Sequence, residues 1–131
     1  MVVDTSALVA ILLQEPDADR FEQALDTASV RLLSVVSRVE LSCVIEGRKG
    51  DAGRLEVERL IRAGSFELAA VTAEQAGIAI EAFRRFGKGR HRARLNIGDC
   101  FAYALAAAMG QPLLFKGADF GHTDIQAALT G

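Results

Sequence analysis

Short apolar runs, set between longer stretches of helical periodicity, constrain this chain more than any other feature. Residues 1–3 form one such run, ending at Asp4, and others cover residues 31–36, 66–71 and 112–115. Between them the spacing of apolar residues becomes helical. A buried helix is predicted over 6–13, and Pro16 opens a second with Phe21, Leu25 and Ala28 on one face. Ser37 begins a third, running to about Arg48 and broken at 50–53 by Gly-Asp-Ala-Gly, beyond which Leu55, Leu60 and Ile61 mark another. Helices are also predicted over 72–86 and 98–109, with Gly110 as C-cap, and a short helix or turn follows from Asp119. Strands alternating with helices imply βα units and a mostly parallel sheet between helices. In such sheets the functional crevice lies beyond the carboxyl ends of the strands, where Asp4 and Asp119 fall. With no repeat, linker or low-complexity tract, residues 1–131 read as one domain.

Half the residues are hydrophobic and 24% are charged, a balance that excludes disorder. The net charge of −2 makes no general case for nucleic acid, but its distribution does more. Arg84, Arg85, Lys88, Arg90, Arg92 and Arg94 fall within residues 84–94 without a single acid, six of the chain's fifteen basic residues. A solvated charged face is the commoner fate of such a run. Its direct connection to the helix carrying Asp99 favours contact with an RNA backbone. Cys43 and Cys100 have no CxxC or His/Cys partner, so reduced, buried, structural thiols are expected. The stretch 100–109 is too short to span a bilayer, and residues 1–13 lack a basic leader region. A soluble, cytoplasmic protein without membrane contact is expected.

Four carboxylates are candidates for chemistry, each with a bland alternative. Asp4 stands between an apolar strand and an apolar helix, where a charge is costly unless paired, hydrogen-bonded or metal-bound; the alternative is an N-cap. Glu40 closes Ser37-Arg38-Val39-Glu40, which has the form of a capping box, but Val39, Leu41 and Val44 suggest a buried turn. The two readings of Glu40 are even. Asp99 opens an otherwise uncharged helix after Asn96 and Gly98, and either dipole stabilisation or function accounts for it. Asp119 caps a final turn or joins the others. Carboxylates gathered from separate segments repel, and hard divalent cations such as Mg²⁺ or Mn²⁺ relieve that repulsion. Such a cluster activates water and stabilises charge on a phosphodiester. His91 and His122 are too scattered to form a second site.

Val3-Asp4-Thr5-Ser6-Ala7, Ser37-x-x-Glu40, the stretch 95–104 (Leu-Asn-Ile-Gly-Asp-Cys-Phe-Ala-Tyr-Ala) and Leu113-Leu114-Phe115-Lys116-Gly117-x-Asp119-Phe120 occur in this order. Together they resemble the PIN-domain ribonucleases, in particular the VapC toxins of bacterial toxin–antitoxin pairs, over essentially the whole chain. The resemblance implies a three-layer α/β/α sandwich around a mostly parallel sheet of about four to five strands. It also implies Mg²⁺ or Mn²⁺ at the acids and endonucleolytic cleavage of RNA. By position Asp4 and Asp99 would be direct metal ligands, Glu40 would support the metal or its water, and Asp119 would be the fourth acid. Many members carry an acid where this chain has Gly117. Thr5 or Ser6 would hydrogen-bond the cluster or a phosphate. A homodimer and a cognate antitoxin that occupies the groove follow from the same resemblance.

Two other classes compete. A catalytically silent RNA- or protein-binding module would use the basic run and leave the acids as caps. A metal-dependent phosphohydrolase would act on a small ester, although Ser6 stands where aspartyl phosphatases generally carry a second acid.

Overall fold

The computed structural model describes residues 1–129. Strand β1 (Val2–Val3) leads into helices α1 (Thr5–Leu12) and α2 (Ala18–Thr27), then strand β2 (Leu32–Ser34) into the long helix α3 (Val35–Ala63). Strand β3 (Glu67–Ala69), helices α4 (Ala73–Phe86) and α5 (Ile97–Met109), strand β4 (Leu113–Leu114) and a 3₁₀ turn (Phe120–His122) complete the order. The four strands form one parallel sheet in the order β3-β2-β1-β4.

Alternation along the strands divides the core. Val2, Leu32 and Leu113 pack with α4, α5 and Phe120 on one face, whereas Val3, Leu33 and Leu114 pack with α1, α2 and α3 on the other. This is the expected three-layer α/β/α sandwich, and its sheet has four strands. From β1 the chain builds outward through β2 to β3, then crosses back to add β4 on the opposite side of β1. The reversal between β1 and β4 opens a crevice at their carboxyl ends.

Several local expectations are corrected. The apolar run at 31–36 contributes only Leu32–Ser34 to the sheet, because Ser34 caps α3 through its hydroxyl and the helix starts at Val35. The break at 50–53 is a kink, not a loop: Gly50 alone leaves helical geometry, at φ 60°, and the helix resumes. Val39 and Val44 are exposed, at 62% and 40%, since only the narrow stripe Ser37, Leu41 and Ile45 of this turn faces inward. Cys43 shares their exposed side and is not the buried thiol that was expected, whereas Cys100 is buried. Gly110 adopts the left-handed C-cap conformation as predicted, at φ 62°.

Candidate active site

Asp4 follows β1 and is the N-cap of α1. Its Oδ2 accepts the Ser6 N–H at 3.0 Å and the Ser6 hydroxyl at 2.6 Å. Ser6 Oγ in turn accepts the Lys116 N–H, at 2.9 Å, from the segment beyond β4. The bland capping role is therefore real, and both Ser6 hydrogen bonds fall on the one oxygen, Oδ2.

Glu40 does not close a capping box. With Ser34 as the cap of α3, Ser37 lies within the first turns, its buried hydroxyl without a partner. Freed from the backbone, Glu40 Oε1 accepts the Thr5 hydroxyl at 3.2 Å, a bond that Thr5 shares with Ser37 O at 3.3 Å. Its carboxylate lies against Gly98, where an added Cβ would stand 2.0 Å from Oε2. Gly98 thus admits Glu40 from α3 to the start of α5.

At Asp99 the local role is a true capping box. Asn96 Oδ1 accepts the Asp99 N–H at 2.8 Å, and Asp99 Oδ2 accepts the Asn96 N–H at 3.0 Å. Again one oxygen is engaged and Oδ1 receives no donor among the described residues. Asp119 is exposed ahead of the 3₁₀ turn and makes no capping hydrogen bond.

Electrostatics tie these acids together. Burial raises the proton affinity of Asp4, and the nearby Glu40 charge adds to it against the Ser6 hydrogen bonds. Burial likewise raises Glu40, with Asp99 adding repulsion. Asp99 is pushed up to about 6 by burial, with the charges of Asp4 and Asp119 adding to it. Four acids from four segments therefore feel one another, and Asp4, Glu40 and Asp99 form no ion pair among the described residues. A buried anion, Asp4, with half-buried Glu40 and Asp99 beside it and no cation among them is costly, which is the condition a divalent ion relieves. Among the described residues no three His, Cys, Asp or Glu side chains stand close enough together to hold a metal ion between them. Repulsion spreads free carboxylates, and Mg²⁺ typically takes only one or two while keeping several waters, so an open set of hard oxygens fits it.

The basic run begins on α4 and continues into the loop that returns to α5. A parallel bridge between Gly87 and Leu95 closes this loop, and Lys88, Arg90, Arg92 and Arg94 are exposed on it. Arg84 pairs with Glu81 at 3.5 Å, a weak surface contact. Arg85 instead serves a network that sequence reasoning did not find: it reaches Asp124 at 3.3 Å, and Tyr103 donates its hydroxyl to the same carboxylate at 2.5 Å. Burial and Asp124 push the Tyr103 phenol up to about 12, so it stays a donor. Lys116 also escaped notice; its Nζ bridges Glu15 at 2.6 Å and Asp17 at 3.0 Å, tying the segment after β4 to the α1–α2 connection. Local sequence carries no signal for pairs so far apart. His122 is exposed, and half-buried His91 accepts the Ala93 N–H, so neither joins the acids.

The chain matches the family model described as PIN domain over residues 1–126. It is 55% identical over 125 residues to Ribonuclease VapC30 of Mycobacterium tuberculosis, covering 95% of each chain. To Ribonuclease VapC of Mycolicibacterium smegmatis the identity is 54% over 127 residues, covering 97% of this chain and 98% of that one. The structure is similar in fold to the crystal structure of Mycobacterium tuberculosis VapC20, with a TM-score of 0.77 at 17% identity over 95% of each chain. That protein is described as a toxin cleaving the sarcin–ricin loop.

Proposed function

The chain belongs to the PIN-domain family, among the VapC ribonucleases, and from that premise we propose that it is a divalent-metal-dependent endoribonuclease serving as the toxin of a toxin–antitoxin pair. The observation that supports the metal-dependent reading is the electrostatic coupling of Asp4, Glu40 and Asp99, whose charges raise one another's proton affinity with no ion pair to any of them among the described residues.

Asp4 and Asp99 would hold Mg²⁺ or Mn²⁺, with Glu40 supporting it and Asp119 as the fourth acid. When bound, such an ion lowers the pKa of water and offsets charge on the phosphodiester. The protein's own groups do the rest. Ser6 holds Asp4 Oδ2 in place, and the Lys116 N–H fixes Ser6 in turn. Thr5 orients Glu40, whose raised proton affinity suits its Oε2 to take a proton from the attacking water. The exposed Arg and Lys of the loop grip phosphates without reading sequence. Water attack needs no covalent enzyme intermediate. The cognate antitoxin would cover the apolar shelf of Val35, Val36, Val39, Cys43 and Val44, which borders Glu40, and the working form would be a homodimer in the cytoplasm.

Total RNA incubated with the protein, in Mg²⁺ or EDTA, tests this. Cleavage should require metal, should leave 5′-phosphate and 3′-hydroxyl ends, and should vanish in Asp4→Asn. Cleavage in EDTA, or ends bearing 2′,3′-cyclic phosphate, would contradict the mechanism. A folded protein that leaves RNA intact in metal favours the silent binding module.

A further inference from the structure

Beside the acids lies a second concavity, of about 450 Å³, between α4 and the start of α5. Ala76, Ile80 and Phe83 follow one another at helical spacing along α4, and Ile97, Cys100 and Phe101 do so on α5. The small side chains Ala79 and Cys100 form a buried floor. Its rim carries large apolar groups that folding has left in water, Ile80 at 55% and Ile97 at 70% exposure. Arg84 and Arg90 stand at the same rim, the Arg90 guanidinium 5.7 Å above the Phe83 ring, and no acid lines the cavity. Ile97 and Cys100 flank Asp99 in sequence, so cavity and acid cluster share the first turn of α5.

We infer that this cavity receives one unstacked nucleobase of a single-stranded or looped RNA, whose phosphate is held by Arg84 and Arg90. The inference rests on the ribonuclease reading above and adds to it a subsite for substrate recognition. Charge complementarity decides the occupant: an apolar slot lined by Phe83 and Phe101, with the Arg90 guanidinium at its mouth free of any ion pair among the described residues and Arg84 held only by a weak surface contact to Glu81, suits a base carrying its own anion. Bases splayed from single strands are recognised by stacking on aromatic and guanidinium planes. A base here would place its strand across the turn that carries Asp99. The arginines of the rim belong to the loop and helix end already assigned to the backbone, so one surface would grip phosphate and base together.

Photocrosslinking with a 5-iodouridine-substituted oligouridylate tests the subsite directly, on the Asp4→Asn protein so that the strand stays uncut. Crosslinks should map to Phe83 or Phe101. The variant Ile80→Ser/Ile97→Ser alters only exposed side chains and should melt close to its parent. It should bind the strand at least about fivefold more weakly, because two apolar walls against which the base would pack become polar. Its salt dependence should not change, because no phosphate contact is removed. Crosslinks confined to residues 88–94, with unchanged affinity of the double variant, would overturn the subsite even if the wild type cuts RNA in metal. Loss of self-association in the double variant, with RNA affinity intact, would assign the groove to a second copy and would also overturn it. A protein that neither binds nor cuts RNA would overturn the ribonuclease reading as well.

Discussion

Replacing Asp99 with Asn separates an anionic centre from a helix cap, because the two roles have opposite signs. In the folded protein the Asp99 carboxyl is raised from 3.8 to about 6, with burial first among the causes. The charged form is therefore penalised above that value. A shift of this size corresponds to about 3 kcal/mol, which solvent screening at a half-buried side chain reduces to about 1–2 kcal/mol. For an acid with a raised folded value, this cost is fully present at pH 8 and shrinks as pH falls through about 6. It is gone only below the ordinary value of 3.8. Asn keeps an oxygen for the Asn96 N–H but loses the favourable meeting of charge and helix dipole, worth about 0.3–1 kcal/mol. Asp99→Asn should accordingly be as stable as wild type or up to about 1.5 kcal/mol more stable at pH 8 in EDTA. That is a rise in Tm of up to about 6 °C for a chain of this size. At pH 4.5 only about a third of the carboxylate cost should remain, so the advantage should be much smaller. Mg²⁺ or Mn²⁺ should raise the Tm of wild type and leave the variant almost unmoved, since a ligand stabilises only through its affinity for the folded state. Thermal melts by circular dichroism at both pH values, with EDTA and with metal, measure all of this. A variant destabilised equally in every condition would show that Asp99 is a cap and nothing more.

Gly98→Ala should improve helix propensity but drive Glu40 away, since its Cβ would lie 2.0 Å from Oε2; cleavage should fall at least about tenfold while the circular dichroism spectrum is kept. Replacing Arg90, Arg92 and Arg94 with Ala should weaken binding to all RNAs alike and reduce the slope of log K against log salt by about 2, in a filter-binding titration. Unchanged salt dependence would remove the loop from the RNA path. Cys43→Ser and Cys100→Ala should both retain metal-dependent cleavage, and Cys100→Ala should lose about 1–2 kcal/mol in urea unfolding because its thiol is buried.

Where local pattern and tertiary role coincide, the sequence was legible. Val2-Val3 and Leu113-Leu114 are short continuous apolar pairs; the first is a central strand and the second an edge strand of the parallel sheet, and all four side chains are buried between the helical layers. Asp4 and Asp119 follow these strands, so topology alone sends them to the crevice. Asp99 was legible from the uncharged helix behind it. Glu40 was not resolved by its own segment: Ser37 resembles a cap, and only the earlier start of α3 at Ser34 releases the carboxylate to meet Thr5 and Gly98. Cys43 and Val39 were misjudged because a long helix at the edge of the core buries a narrow stripe, which hydrophobicity does not locate when its exposed side is also apolar. Lys116 with Glu15 and Asp17, and Tyr103 with Asp124 and Arg85, depend on loop paths that no spacing rule encodes.

The central claim is that Asp4, Glu40 and Asp99 form one divalent-metal centre, and calorimetric titration of Mn²⁺ into the metal-free protein tests it without any RNA. Wild type should bind Mn²⁺ with an affinity that falls as pH drops through about 6, where Asp99 takes up its proton. Asp4→Asn and Asp99→Asn should each bind at least about tenfold more weakly, while Asp119→Asn, which alters an exposed acid, should lose less. Equal affinities in wild type, Asp4→Asn and Asp99→Asn, or no heat of binding in the wild type, would contradict the account.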